Sequence, residues 1–372
     1  VHRKFLEVER ELNSILFERE EAIRGAIVAL LSKQNVFFLG PPGTAKSLLC
    51  DQLCDRIAGA NIFKWLLTKH TEPNEIFGPY SARQLVEHDV YRRVTAGRLP
   101  EAHFFFADEI WKSNSAVLNS LLKAINERVH EDAGTWVPIP LMNVFAASNE
   151  VPTDRNECAA IWDRFLMTFW VPEVQEHDNF CRMLLNRGAK PPPAKTKLTF
   201  QEIEAAQDAV AKVRFTPEVI ELTARIREEL ERDKDKGVSA SSRRWSQAMC
   251  AVAAMAFLAG RTEVEPSDLE VLVHCLWRVP GERRLVTDKV LAFCFPALQK
   301  ALETLDLAAE QFKICSSAGV AGAERFEAYE KLKKLGDEAS ALRLRDNNPR
   351  IINVCEKILD MRKRGSRAVI GG

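Results

Sequence analysis

The chain has 372 residues, with Lys plus Arg and Asp plus Glu balanced at 52 each. Zero net charge excludes a global electrostatic pull toward nucleic acid or an anionic membrane. The 46% hydrophobic content is enough for a sizeable core, and the length suggests two or three domains.

No apolar run approaches the ~18–20 residues that cross a bilayer. The amino terminus is amphipathic and charged and lacks a signal-peptide pattern, so a cytoplasmic protein is expected. Nine cysteines are scattered along the chain. Cys50 and Cys54 have helical spacing without histidine partners, and the set reads as reduced thiols in a core. His274 and Cys275 lie in an apolar helical stretch and read as packing.

Residues 5–33 predict one or two amphipathic helices. Asn35 to Leu39 is a short apolar run ending at Gly40, which suits a buried strand. A helix is predicted from Lys46 to Ala58, a strand over 61–68, and a third strand from His103 to Ala107. Val117, Leu118, Leu121, Leu122 and Ile125 recur at helical spacing within 113–127. Val129 to Pro140 predicts a hairpin turning at Asp132-Ala133-Gly134. A fourth strand is expected over 142–147, a helix over 156–166 and a fifth strand over 169–171. Strands alternating with helices imply an α/β fold, a three-layer parallel sheet.

Gly188 to Lys197, with Pro191-Pro192-Pro193, has linker composition. Helices are then predicted over 201–213, 216–234, 241–260 and 266–278. A second boundary falls at Pro280-Gly281. Further helical segments follow over 282–313, 321–345 and 350–364, with a basic tail from Arg362 to Arg367. The domains expected are 1–188, 198–280 and 281–372.

Gly40-Pro41-Pro42-Gly43-Thr44-Ala45-Lys46-Ser47 matches a P-loop between strand and helix, with Leu48 next in the helix. Such a loop wraps phosphates with backbone N–H groups, aided by the helix N-terminus. Lys46 is expected to bridge the β- and γ-phosphates and Ser47 to ligate Mg²⁺. Ala45 stands where the pattern has a second glycine, which is tolerable only if the backbone there keeps a negative φ.

The strand ending in Asp108-Glu109 brings two carboxylates to the sheet's carboxyl edge, where ligands bind in open α/β sheets. Asp108 suits Mg²⁺ and Glu109 suits polarisation of the attacking water. Ser148-Asn149 ends the next strand, and Asn149 is expected beside Glu109. An arginine at the γ-phosphate would add most to phosphoryl transfer; Arg164 and Arg243, with Arg244 adjacent, are candidates, and composition alone does not select them from the other arginines.

Together these residues resemble the AAA+ ATPases, specifically the MoxR family in its RavA-like branch. The resemblance covers about 10–280. It is densest from Asp108-Glu109-Ile110-Trp111-Lys112 through Leu118–Leu122 to Ala124-Ile125-Asn126-Glu127-Arg128, with Phe77-Gly78-Pro79 before it. It implies an AAA+ core, an all-α lid and a C-terminal helical region. Gly40–Ser47 would be Walker A, Asp108 and Glu109 Walker B, Asn149 sensor 1, Arg164 the arginine finger and Arg243 sensor 2, with the register against Arg244 open. In the family an alanine before the lysine is common, and Leu16–Arg19 lies where adenine is contacted. Residues 80–98 and 128–141 fit two inserts, neither with an aromatic-glycine pore loop, so a threading translocase is not expected.

The resemblance further implies ATP and Mg²⁺ as cofactors and hydrolysis at the subunit interfaces of a homo-hexamer, with Arg243 drawing the lid onto the sheet. The work would be chaperone-like remodelling of a partner protein, such as one with a von Willebrand factor A domain. Two other readings stand beside it. One is a nucleotide-gated switch or scaffold with little turnover; the other, a nucleic-acid remodeller, is disfavoured by the balanced charge.

Overall fold

The computed structural model describes residues 1–151, 161–186, 188–232, 237–317, 319–345 and 348–370. The chain divides into two compact units, Val1–Val286 and Thr287–Gly372, with the division inside the helix Pro280–Cys294.

The first unit is built on a five-stranded sheet. Its strands are β1 (Asn35–Leu39), β2 (Ile62–Leu66), β3 (Phe104–Asp108), β6 (Asn143–Ser148) and β7 (Phe165–Trp170). Their order is β2-β3-β6-β1-β7, and every pairing is parallel. β1 and β6 are buried along their whole length, which is why their sequences are continuously apolar rather than alternating. The helix Glu20–Ser32 packs on β1 and β7, and Lys46–Cys54 on β3. The chain thus has the three-layer parallel architecture its alternating pattern implies.

The order has a functional consequence. β1 is flanked by β6 and β7, and β6 by β3, so the loops after β1, β3 and β6 emerge side by side at one edge.

Boundaries differ from the sequence expectation where short apolar runs are ambiguous. β7 begins at Phe165, within the segment expected to be helix; of the rest of that predicted helix, 156–160 lies outside the described residues and Ile161-Trp162 is helical. The helix after the phosphate loop ends at Cys54. The segment 266–278 is a 3₁₀ turn, Pro266–Val271, running into a short helix, Leu272–Cys275. The helix His177–Leu185 was not anticipated.

Two inserts pack together beside the sheet. The hairpin β4 (Val129–Asp132) and β5 (Thr135–Pro138) turns through Ala133 and Gly134, both with positive φ. Positive φ at both central residues matches the twist of the flanking strands. Asp132 accepts from the Arg93 backbone N–H at 2.8 Å, and Ala133 N donates to the Tyr91 carbonyl at 3.1 Å. Tyr80, Tyr91 and Trp136 are exposed on this body, although neither insert has an aromatic-glycine sequence.

The helices Phe200–Ala211, Pro217–Glu231 and Ser242–Leu258 complete the first unit. Thr199, Thr216 and Ser241 cap them, each hydroxyl accepting from a backbone N–H of the first turn. The second unit packs Pro296–Ser316, Gly322–Arg345 and Pro349–Ile370 around Leu298, Ala308, Leu332, Ala339 and Ile358. Pro296 separates Pro280–Cys294 from the next helix, where one continuous helix was expected, because proline cannot donate within a helix interior. The expected basic tail, Arg362–Arg367, is helical.

Five of the cysteines, Cys50, Cys54, Cys275, Cys315 and Cys355, are buried free thiols; Cys250 is exposed and Cys181 and Cys294 are half-buried, so not all the thiols are core. His274 stacks on Phe169 with ring centroids 4.4 Å apart, as packing predicts. No helix among the described residues is long and apolar enough to cross a membrane.

Candidate active site

The phosphate loop joins β1 to the helix Lys46–Cys54. A side chain at Gly40 would put its Cβ 2.2 Å from the Val171 carbonyl oxygen, so only glycine lets β1 and the exit of β7 run this close. Gly43 has φ +80 with open space around it, so its backbone conformation is the constraint.

Ala45 has φ +65 and ψ +23. This corrects the expectation of negative φ. The left-handed conformation costs a non-glycine residue about 1–2 kcal/mol, a strain the loop sustains through its surroundings.

Lys46 is buried. Its Nζ donates to the carbonyls of Gly40 at 2.8 Å and Pro41 at 2.7 Å, to Thr44 Oγ1 at 3.3 Å and to Asn149 Oδ1 at 3.5 Å. Burial holds the pKa of Lys46 below its ordinary value, while Asp108 and Glu109 act in the opposite direction.

β3 delivers the acidic pair. Burial raises the pKa of the Asp108 carboxyl, and the neighbouring Glu109 adds to the rise. Glu109 has φ +53, a second left-handed residue at the site. Its Oε1 accepts from Asn149 Nδ2 at 2.5 Å, and its Oε2 lies 3.4 Å from both Ser148 Oγ and Lys112 Nζ. Asn149 therefore bridges Lys46 and Glu109, one amide atom to each. Ser148 and Lys112 were not singled out from the sequence; the run Asp108–Lys112 contained the second.

Ser47 is exposed at the start of its helix. Among the described residues no group of three or more His, Cys, Asp or Glu could hold a metal alone. A hydroxyl and one carboxylate, completed by phosphate oxygens and water, fit Mg²⁺, which keeps part of its hydration shell.

A cavity of about 640 Å³ adjoins the loop. Leu16, Phe17, Leu48, Phe180 and Met183 give it apolar walls, and Gly43, Thr44 and Ala45 border it. Its size and lining suit a base and sugar. Phe180 and Met183 come from the unanticipated helix His177–Leu185, whose start is held by Glu18, accepting from the backbone N–H groups of Gln175 and Glu176 at 2.8 and 3.0 Å.

The arginines lie elsewhere. Arg164 immediately precedes β7, and it lines a second cavity, of about 410 Å³, with Arg243, Arg128, Lys33 and Asn35. Asn35 starts β1, so this cavity is at the sheet's amino edge. β1 has five residues, a length of roughly 16 Å between this edge and the phosphate loop. Arg243, expected to draw the lid onto the sheet, lies at this amino edge and not beside its own phosphate loop. Burial and the nearby Arg243 lower the pKa of Arg164, which has only the adjacent Asp163 at 3.8 Å as an ion-pair partner among the described residues.

Arg244 is fully buried and staples the helix Ser242–Leu258 to the sheet. It donates to the carbonyls of Cys275 at 2.5 Å, Phe165 at 3.2 Å and Leu166 at 2.8 Å. Burial lowers its pKa to about 10, so it stays charged at neutral pH. Arg243, one residue earlier, is exposed. Of the two, Arg243 alone is open to a ligand.

Residues 3–212 match the model of the MoxR domain in the MoxR-vWA-beta-propeller ternary systems, and residues 218–290 match an AAA lid domain. The chain belongs to the MoxR family of AAA+ ATPases. ATP hydrolysis is the general activity of that family.

Two uncharacterized proteins of Methanocaldococcus jannaschii are each 35% identical to it. One aligns over 276 residues, 74% of this chain and 72% of that protein; the other over 278, 74% and 71%. Chaperone MoxR1 of Mycobacterium tuberculosis is 26% identical over 282 residues, 72% of each. A crystal structure from Cytophaga hutchinsonii shares the fold, with a TM-score of 0.62 at 19% identity over 78% of this chain and 94% of that one.

Proposed function

We propose that this MoxR-family chain hydrolyses ATP with Mg²⁺ at the subunit interfaces of a hexameric ring and uses the cycle to remodel a partner protein. The observation that carries the proposal is the separation of the two arginines from the chain's own phosphate loop by a strand length. Guanidinium groups so placed are available to the nucleotide site of another copy.

Within one site, the loop N–H groups and Lys46 bind the phosphates. Ser47 and Asp108 would hold Mg²⁺, which would supply positive charge at the phosphoryl oxygens. Glu109 takes a proton from the attacking water, and Asn149 sets the direction of its carboxylate. Arg164, with Arg243 beside it, reaches the neighbouring copy's γ-phosphate. The apolar cavity beside the loop takes the adenine.

The partner is a protein with a von Willebrand factor A domain. The matched model describes MoxR domains working in systems that contain one, and a relative is named a chaperone. Placement in the RavA-like branch rests on the run Asp108–Arg128, and a cytoplasmic site of action on the reduced thiols. The core, lid and C-terminal extension divide near 188–198 and 280.

Mixing two inactive variants tests the shared site. Arg164→Ala supplies an intact Glu109, and Glu109→Gln supplies an intact Arg164. A mixed assembly regains ATP hydrolysis if the site is shared. Light scattering showing a strict monomer with and without ATP, together with no recovery on mixing, sinks the proposal.

A further inference from the structure

Arg19 is 5% exposed, yet no carboxylate ion-pairs with it among the described residues. Its guanidinium instead donates to three backbone carbonyls from three segments. Nε reaches Thr44 O at 3.1 Å, Nη1 reaches Glu18 O at 2.6 Å and Nη2 reaches Pro172 O at 2.5 Å. Thr44 belongs to the phosphate loop, Glu18 to the stretch before the helix Glu20–Ser32, and Pro172 to the chain leaving β7. Burying a cation is costly unless its donors are satisfied, so this placement has a specific structural demand behind it.

The demand is visible at the next peptide. A trans peptide holds the Thr44 carbonyl and the Ala45 N–H in opposite directions. The Thr44 oxygen is turned to Arg19, so the Ala45 N–H is turned away from it. Ala45 is also the loop residue in the strained left-handed conformation, where a glycine would sit without cost. Successive N–H groups turned the same way by such a residue form an anion-binding nest. Arg19 also lies close enough to Lys46 to lower its pKa.

We propose that Arg19 is a positioning residue of the phosphate loop: by holding the Thr44 carbonyl it keeps the Thr44–Ala45 peptide, and hence the strained Ala45, in the orientation that receives phosphate. This rests on the nucleotide reading of the loop. It ties Arg19 to the phosphate loop as well as to the apolar cavity, which Arg19 borders with Leu16 and Phe17 of the segment expected at the adenine. It also explains how alanine is accommodated at position 45, since a hydrogen-bonded strap offsets the strain that glycine would avoid.

The test is a double-mutant cycle on ADP affinity, with thermal melting recorded for every variant. Arg19→Lys keeps the charge but cannot fork to three carbonyls. It weakens ADP binding by roughly tenfold or more. Ala45→Gly alone sets the reference affinity for its own background. In Arg19→Lys with Ala45→Gly most of the loss is recovered, because glycine holds φ +65 unaided. A merely structural role lowers the melting temperature and is not relieved at position 45.

An Arg19→Lys variant that binds ADP like wild type, or a loss that Ala45→Gly leaves unchanged, overturns the inference. Wild-type protein that binds no ADP overturns the nucleotide reading with it. If Arg19→Lys does not fold, hydrogen exchange on wild type decides: the Arg19 Nε–H stays protected with and without ADP, and rapid exchange in both states overturns the strap.

Discussion

Asn149 donates from Nδ2 to Glu109 Oε1 at 2.5 Å while its Oδ1 stands 3.5 Å from Lys46 Nζ, so one amide at the end of β6 touches both halves of the site. Replacing Glu109 by Gln leaves the amide contacts and the phosphate loop in place but removes the proton acceptor. Steady-state ATP hydrolysis falls by about 10²-fold or more, with ADP binding retained. Asn149→Ala frees the carboxylate and also lowers turnover, by less. Equal turnover in wild type and Glu109→Gln contradicts the assignment.

Arg243 and Arg244 are neighbours with opposite fates. Arg244→Ala strips donors from the carbonyls of Phe165, Leu166 and Cys275 and destabilises the first unit by about 2–4 kcal/mol in chemical denaturation. Arg243→Ala, on the exposed side, changes stability by less than about 0.5 kcal/mol, yet lowers ATP hydrolysis. Matching stability losses for the two variants count against this division of roles.

Gly40→Ala and Gly43→Ala separate two kinds of glycine requirement. At Gly40 the new methyl meets the Val171 carbonyl, so β1 and the β7 exit must part, costing about 1–3 kcal/mol of stability. At Gly43 nothing is in the way, and the cost is only that of left-handed backbone, about 1–2 kcal/mol. Melting curves rank Gly40→Ala below Gly43→Ala, and ADP affinity drops in both.

His274 makes the protein acid-sensitive. Burial against Phe169 lowers its pKa to about 4, partly opposed by Glu21, with Arg283 adding to the fall. The folded pKa lies below the unfolded value of roughly 6.5. The unfolded chain therefore binds the proton first as pH falls. Stability is full above about pH 6.5 and declines down to about pH 4, by roughly 1–3 kcal/mol in total. His274→Leu flattens melting temperature against pH across this window; an unchanged slope rules out His274 as its source.

Much of the catalytic face was legible in the chain. Gly40–Ser47, Asp108-Glu109 and Ser148-Asn149 each end a continuously apolar run, and such a run in an alternating α/β pattern is a buried parallel strand. The converging edge follows from that rule. Boundaries were less legible: Phe165-Leu166-Met167 has no periodicity that separates strand from helix, and only its pairing with β1 decides.

By itself, then, the sequence determined the sheet and the residues that end its central strands, because spacing and apolar runs are local properties, and its resemblance to known proteins supplied the family. Tertiary structure alone decided the rest. It turned Ala45 left-handed, buried Arg244 against carbonyls while leaving Arg243 open, set both candidate arginines at the edge away from the phosphate loop, and bent Arg19 onto that loop. Which of many arginines is buried, paired or free depends on what distant segments bring beside it, and a guanidinium's partners here are mostly backbone carbonyls, which every residue has and no sequence marks.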